Sequence, residues 1–126
     1  MLPRLYVDHL VFRVRNIGAT AAFYQKLLGD PAFQSDDSVM YLAGETRLFF
    51  TPSASPIAEY DKEQPGLNHL AFGTRTPAQL QKVLAHLNAS AIQHSGIQID
   101  SYGEKEFIWL DDPDGFRLEF YCRPEP

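Results

Sequence analysis

From Leu5 to Val14 the chain is dense in apolar, β-branched and aromatic residues, a pattern that predicts a strand. Alternation places Leu5, Val7, His9, Val11 and Arg13 on one face of it and Leu10, Phe12 and Val14 on the other. From about Ala19 to Leu28 the period changes: Phe23, Leu27 and Leu28 fall at helical spacing, Asn16 stands where a cap belongs, and Gly29 where a helix ends. Strand-like stretches follow at Ala32 to Gln34, Val39 to Leu42 and Arg47 to Thr51, giving the order β-α-β-β-β.

The same order returns in the second half. A strand from Leu67 to Thr74 precedes a helix with Thr76 as cap, Pro77 in its first turn and Leu80, Val83, Leu84 and Leu87 as its apolar stripe. Strands are expected near Ala91 to His94, Glu106 to Leu110 and Arg117 to Cys122. The turn sequence Asp112-Pro113-Asp114-Gly115 joins the last two as a hairpin, and Ala43-Gly44-Glu45 is its looser counterpart. Asp8-His9-Leu10-Val11-Phe12-Arg13-Val14-Arg15 reappears as Asn68-His69-Leu70-Ala71-Phe72-Gly73-Thr74-Arg75, with four of the eight positions identical, one of them the histidine.

Two copies are too few for a solenoid, and one helix covers only one face of each sheet. The expected fold is α+β: two βαβββ modules forming a curved mixed sheet around a central cavity. We read residues 1–126 as a single domain, with module 1 at about 5–51, a linker at about 52–66 and module 2 at about 67–122. The linker, with three prolines and two serines between Pro52 and Pro65, is long enough to permit exchange between protomers. Whether a site forms within one chain or from halves of two is left open.

Composition narrows the function classes. With 44% apolar and 21% charged residues in 126, the chain can bury roughly two-thirds of the surface its unfolded form exposes. Eleven Lys and Arg against 16 Asp and Glu give a charge of -5 without a basic run, so no nucleic-acid partner is expected. No apolar stretch nears the roughly 20 residues that span a bilayer, and Met1-Leu2-Pro3-Arg4 does not open a signal peptide. Cys122 is the single cysteine. The expectation is a cytoplasmic protein with a small-molecule partner and no membrane association.

In the last strand Phe116, Leu118, Phe120 and Cys122 face one way and Arg117, Glu119 and Tyr121 the other. A carboxylate in so apolar a strand needs a cation, a metal or strong donors. His9, His69 and Glu119 together offer two imidazoles and one carboxylate, a set that suits a divalent ion with positions left for substrate or water. A histidine in a strand is more often an ordinary core or surface residue; the matched placement of two of them shifts the reading to metal. Aligning Arg47-Leu48 with Arg117-Leu118 sets Phe49 opposite Glu119, so three protein ligands are expected and not four, as in an open, catalytic ion site.

Arg47 and Arg117 share faces with Phe49 and Glu119, and Arg13 shares that of His9. Their guanidinium groups suit an anionic substrate; the alternative is that they pair with acids at the rim. Arg13, Arg47, Phe49, Trp109, Arg117 and Tyr121 form the expected substrate-binding set. Tyr41 and Trp109, in corresponding third strands, are read either as pocket lining or as core. The polar loop at Tyr102, Gly103, Glu104 and Lys105 is a lid candidate or, more simply, a solvated loop. His86 and His94 have no matched partners and take surface or structural roles.

With both copies laid out, the chain resembles the vicinal oxygen chelate superfamily, which includes glyoxalase I, extradiol dioxygenases, fosfomycin-resistance thiol transferases and bleomycin-resistance proteins. The resemblance rests on His9-Leu10-Val11-Phe12 and His69-Leu70-Ala71-Phe72, on Phe23-Tyr24-Gln25-Lys26-Leu27-Leu28-Gly29, and on Asp112-Pro113-Asp114-Gly115-Phe116-Arg117-Leu118-Glu119. It implies a divalent metal (Fe, Mn, Zn or Ni) on His9, His69 and Glu119, and a homodimer. It also implies an enzyme of dioxygenase, lyase, isomerase or thiol-transferase type that chelates two vicinal oxygens of its substrate, with Glu119 doubling as a catalytic proton acceptor. The fourth ligand of glyoxalase I would fall at Phe49, the polar residue of the thiol transferases at Val11, and the tyrosine of the dioxygenases near Trp109, so no named subfamily fits in full. The alternative from another class is a metal-free, bleomycin-resistance-like protein that sequesters a small molecule.

Overall fold

Asn16 and Thr76 end the opening strand of each half in the same way. Both have extended backbone, and the side-chain oxygen of each accepts the N–H three residues on, from Ala19 and Gln79, satisfying a donor the first helical turn leaves free. The computed structural model describes residues 1–55 and 58–124, so Pro56 and Ile57 of the expected linker lie outside the described residues. It divides into two units, Met1–Glu59 and Tyr60–Pro126, each built β-α-β-β-β.

In the first unit β1 (His9–Val14) leads to α1 (Ile17–Leu28), then β2 (Phe33–Ser35), β3 (Ser38–Ala43) and β4 (Thr46–Pro52). The sheet order is β1-β4-β3-β2, with β1 parallel to β4 and the other pairs antiparallel. The parallel pair is the product of the helical crossover, and the antiparallel pairs follow from short turns. Gly29, at φ +89°, closes α1 and donates its N–H to Gln25 O. Phe12, Val14, Tyr24, Leu27, Val39, Tyr41, Leu48 and Phe50 form the core between α1 and one face of this sheet.

The second unit repeats the plan with β5 (His69–Thr74), α2 (Pro77–Ala89), β6 (Gln98–Ile99), β7 (Glu106–Asp111) and β8 (Arg117–Cys122) in the order β5-β8-β7-β6. Its core is Leu80, Leu87, Ile92, Ile108, Leu110, Leu118, Phe120 and Cys122. Burying each large aliphatic of this set stabilises by about 1.5–3 kcal/mol. The β7–β8 turn forms as read: Asp112 Oδ1 accepts the N–H groups of Asp114 and Phe116, and Gly115 takes φ +85°. Among the described residues no helix is long and apolar enough to cross a membrane.

Two sequence expectations are corrected. Ala91 to His94 is not a strand: Ala91 takes φ 54°, and Ile92 N–H returns to Leu87 O at the end of α2. His94 instead ties the loop together through Asn88 Oδ1 at 2.7 Å and the Gly96 N–H at 2.9 Å. The edge strand beside β7 is the two-residue β6, whose shortness leaves almost no periodic signal. Tyr41 and Trp109 fall in corresponding strands, β3 and β7, but not on corresponding faces, so they do not share one role. Tyr41 pairs with Leu48 on the core face, whereas Trp109 pairs with Glu119 on the open face, and a one-residue offset in a strand reverses the side.

Of the expected linker, Pro52 closes β4, and the stretch from Tyr60 onward folds with the second unit. Tyr60 donates its N–H to Asp114 O, packs its ring 4.8 Å from that of Phe116 and gives its hydroxyl proton to Leu67 O.

Candidate metal and substrate site

Period-two alternation sends His9, Val11 and Arg13 of β1 and Arg47, Phe49 and Thr51 of β4 to the face of the first sheet that α1 leaves bare. On the second sheet the equivalent face carries His69, Ala71 and Gly73 of β5 and Arg117, Glu119 and Tyr121 of β8. The registers are the same: His9 stands beside Arg47 as His69 does beside Arg117, and Val11 beside Phe49 as Ala71 does beside Glu119.

The second unit brings two of the expected ligands together. His69 Nε2 lies 3.4 Å from Glu119 Oε1, and Glu119 is 8% exposed. Among the described residues that imidazole is the sole hydrogen-bonding or ionic partner of the carboxylate. His69 Nδ1 is 2.9 Å from Asn68 Oδ1, an oxygen that can only accept, so Nδ1 carries a proton and Nε2 is the nitrogen turned toward Glu119. An imidazole nitrogen and a buried carboxylate oxygen therefore face each other across 3.4 Å. A cation shared between them resolves that arrangement, and imidazole plus carboxylate is a donor set that suits a divalent transition metal.

In the first unit His9 Nδ1 donates to Asp8 Oδ2 at 2.8 Å, and Nε2 has no hydrogen-bond partner among the described residues. This hydrogen bond, aided by the charges of His9 and of Arg47 at 3.8 Å, holds the Asp8 carboxyl below the usual carboxylate range. Where Glu119 stands in the second unit, Phe49 meets His9 edge-on, with ring centroids 5.9 Å apart. Within each unit, among the described residues, no three His, Cys, Asp or Glu side chains gather into a metal-holding group.

The arginines differ in what they already hold. Arg117 donates Nε to Asp111 Oδ1 at 2.6 Å and Nη2 to Oδ2 at 3.3 Å, and lies 3.9 Å over the Trp109 ring. Its charge is matched by an acid and its plane by an indole. Arg47 has Asp8. Arg13 donates Nη1 to Thr51 Oγ1 at 2.9 Å and, among the described residues, has no carboxylate. Tyr121 stacks on Phe107 at 4.9 Å, and burial, with Asp100 and Glu119 nearby, pushes its phenol upward.

Asp8, Asn68 and Asp111 carry site geometry that the sequence reading passed over. The signal was present for two of them, because the repeat puts an acceptor side chain immediately before each histidine. Around Phe49 the bare face of the first sheet is apolar: Val11, Phe49, Met40 and Phe33 form one cross-strand row, and Val11 and Phe33 are each 52% exposed.

Two βαβββ units, each opened by a histidine and the second carrying a glutamate in its last strand, make up a duplicated α+β fold. The chain belongs to the Glyoxalase/Bleomycin resistance protein/Dioxygenase superfamily, whose family model matches residues 6–120. It is 30% identical over 131 aligned residues to the Escherichia coli (strain K12) protein called Uncharacterized protein YaeR, across 96% of this chain and 98% of that one. Among solved structures, the glyoxalase family protein from Enterococcus faecalis matches with a TM-score of 0.76 and 25% identity, over 92% of this chain and 96% of that one. The lactoylglutathione lyase from Agrobacterium tumefaciens matches in fold, with a TM-score of 0.75 and 16% identity over 98% and 97% of the two chains. Members of this superfamily generally bind divalent metals and small molecules.

Proposed function

We propose that this protein is a metal-dependent enzyme acting on a small oxygenated substrate, glyoxalase- or dioxygenase-like, that presents two vicinal oxygens to a divalent ion. The observation that supports the reading is the His69–Glu119 pair, an imidazole nitrogen 3.4 Å from a buried carboxylate oxygen on the open face of the second sheet. His69 and Glu119 would hold the ion, and His9, whose register and Nδ1 partner match those of His69, would be the second imidazole donor. Iron, manganese, zinc and nickel all accept this donor set. Such an ion supplies Lewis acidity, favouring negative charge on an oxygen of the substrate.

The chain's own residues define the rest of the chemistry. Glu119 is the one buried carboxylate on the open face of its sheet and is the catalytic group for taking a proton from substrate. Arg13, its charge unmatched by an acid among the described residues, is the anchor for an anionic substituent, whereas Arg117 and Trp109 form a stacked wall held by Asp111. Phe49 supplies apolar surface beside His9, and Tyr121 a phenol donor two residues from Glu119. Thr51 orients Arg13, and Asp8 orients Arg47. In this reading the protein works in the cytoplasm as a homodimer.

Metal analysis of protein purified without added metal tests the reading, followed by a screen of catechols, epoxides and hemithioacetals. About one ion per His-His-Glu set is expected, lost together with turnover in His69→Ala. The apolar row from Val11 to Phe33 favours a second reading, a metal-free binding protein. Ligand affinity unchanged by exhaustive chelation would establish that reading instead.

A further inference from the structure

An amide placed against an imidazole can turn either its oxygen or its nitrogen toward the ring, and the choice decides which ring nitrogen keeps the proton. At Asn68 the choice is made by the chain just before it. Asn68 Nδ2 donates to Lys62 O at 3.1 Å and to Glu63 Oε1 at 3.4 Å, so the oxygen is the atom left to face His69 Nδ1. Those two acceptors are themselves fixed. Asp61 Oδ1 accepts the Glu63 N–H at 2.9 Å, Asp61 O accepts the Gln64 N–H at 3.2 Å, and Lys62 Nζ pairs with the Glu63 carboxylate. Tyr60 fastens the start of this stretch to the β7–β8 turn.

In the first unit the counterpart is Asp8. Tyr6 OH and Arg47 Nη1 approach its Oδ1 at 3.5 and 3.8 Å while Oδ2 faces His9 Nδ1, but a carboxylate accepts through either oxygen, so these contacts do not choose the ring nitrogen that keeps the proton. The brace occurs where the residue before the histidine is an amide.

We propose that Asn68 is a positioning residue for His69, and that residues 61–64, a spacer by composition, are the brace that orients it. Lys62 and Glu63 turn the Asn68 oxygen inward. That oxygen fixes the His69 proton on Nδ1, and the Nε2 lone pair is thereby aimed at Glu119. The inference rests on the reading of His69 and Glu119 as ligands for its purpose, but its geometry exists without the ion. Second partners of this kind commonly change metal affinity by about 10- to 100-fold.

The test uses the whole chain, wild type, Asn68→Ala and Asn68→Asp. Long-range proton–nitrogen correlation of the imidazoles is recorded on metal-free protein at about pH 8, above the usual imidazole range. His69 is expected as the Nδ1–H tautomer in wild type and Asn68→Asp, and as a mixture or the Nε2–H form in Asn68→Ala, with the His9 signals unchanged as a control for folding. Cobalt(II) titration should show affinity roughly 10- to 100-fold lower in Asn68→Ala and restored to within a few-fold by Asn68→Asp. A proton on Nε2 in wild type, or Asn68→Ala matching wild type in both measurements, overturns the proposal. If wild type binds no cobalt at all, the metal reading fails, while the tautomer spectra still decide what Asn68 does.

Discussion

His69 Nε2 and Glu119 Oε1 face each other at 3.4 Å across the β5–β8 boundary, an imidazole nitrogen against a buried carboxylate. In the other unit the same two register positions hold His9 and Phe49. One half of the duplication thus has a cation-seeking pair and the other an imidazole beside a hydrocarbon ring.

Glu119→Gln separates stability from function. Neutralising a buried carboxylate leaves the metal-free protein as stable as wild type or about 1 kcal/mol more so. The rise in melting temperature on adding divalent metal should largely disappear, and turnover should fall roughly 10²- to 10⁴-fold. Thermal unfolding with and without metal measures the first two effects.

Phe49→Glu gives the first unit the pair that the second already has. Its register neighbours Val11 and Met40 are apolar, so the metal-free variant should lose about 1–3 kcal/mol. Added divalent metal should recover part of that loss, more than it stabilises wild type. Parallel denaturant titrations in chelator and in metal check both halves of the expectation.

The arginines should part company. Arg13→Ala removes a cation that has no acid partner among the described residues and should raise KM for an anionic substrate roughly 10- to 100-fold, with little change in kcat. Arg117→Ala leaves Asp111 and the Trp109 ring without their partner and should show chiefly as a stability loss of about 1–2 kcal/mol. Steady-state kinetics and unfolding curves on the two variants separate a binding role from a structural one.

Tyr41 carries a pH dependence. Its ring is 2% exposed, its hydroxyl is without a hydrogen-bond partner among the described residues, and burial raises its ionisation above the usual value near 10. Because the folded form resists ionisation, its contribution to stability is complete below about pH 10 and is lost as the pH rises through the folded value. Tyr41→Phe should remove that alkaline loss and, by deleting an unsatisfied buried hydroxyl, be neutral or stabilising by about 1 kcal/mol near neutrality. Denaturant unfolding at a series of alkaline pH values would reveal any dependence that persists in the variant.

The sequence by itself determined what depends on local periodicity and on the repeat: two βαβββ units, helices capped at Asn16 and Thr76, and the strand faces that carry His9, His69 and Glu119. Those features follow from side-chain spacing along one element, which needs no knowledge of its neighbours. Tertiary structure alone decided the two-residue edge strand at Gln98–Ile99, the core side of Tyr41, the acids that occupy Arg47 and Arg117, and the orientation of Asn68 by Lys62 and Glu63. Each of these is settled by a partner in an adjoining loop or strand, from five residues away to 39. A hydrogen bond or ion pair formed across a turn or between strands follows no helix or strand period, so it leaves no spacing in the sequence from which it can be read.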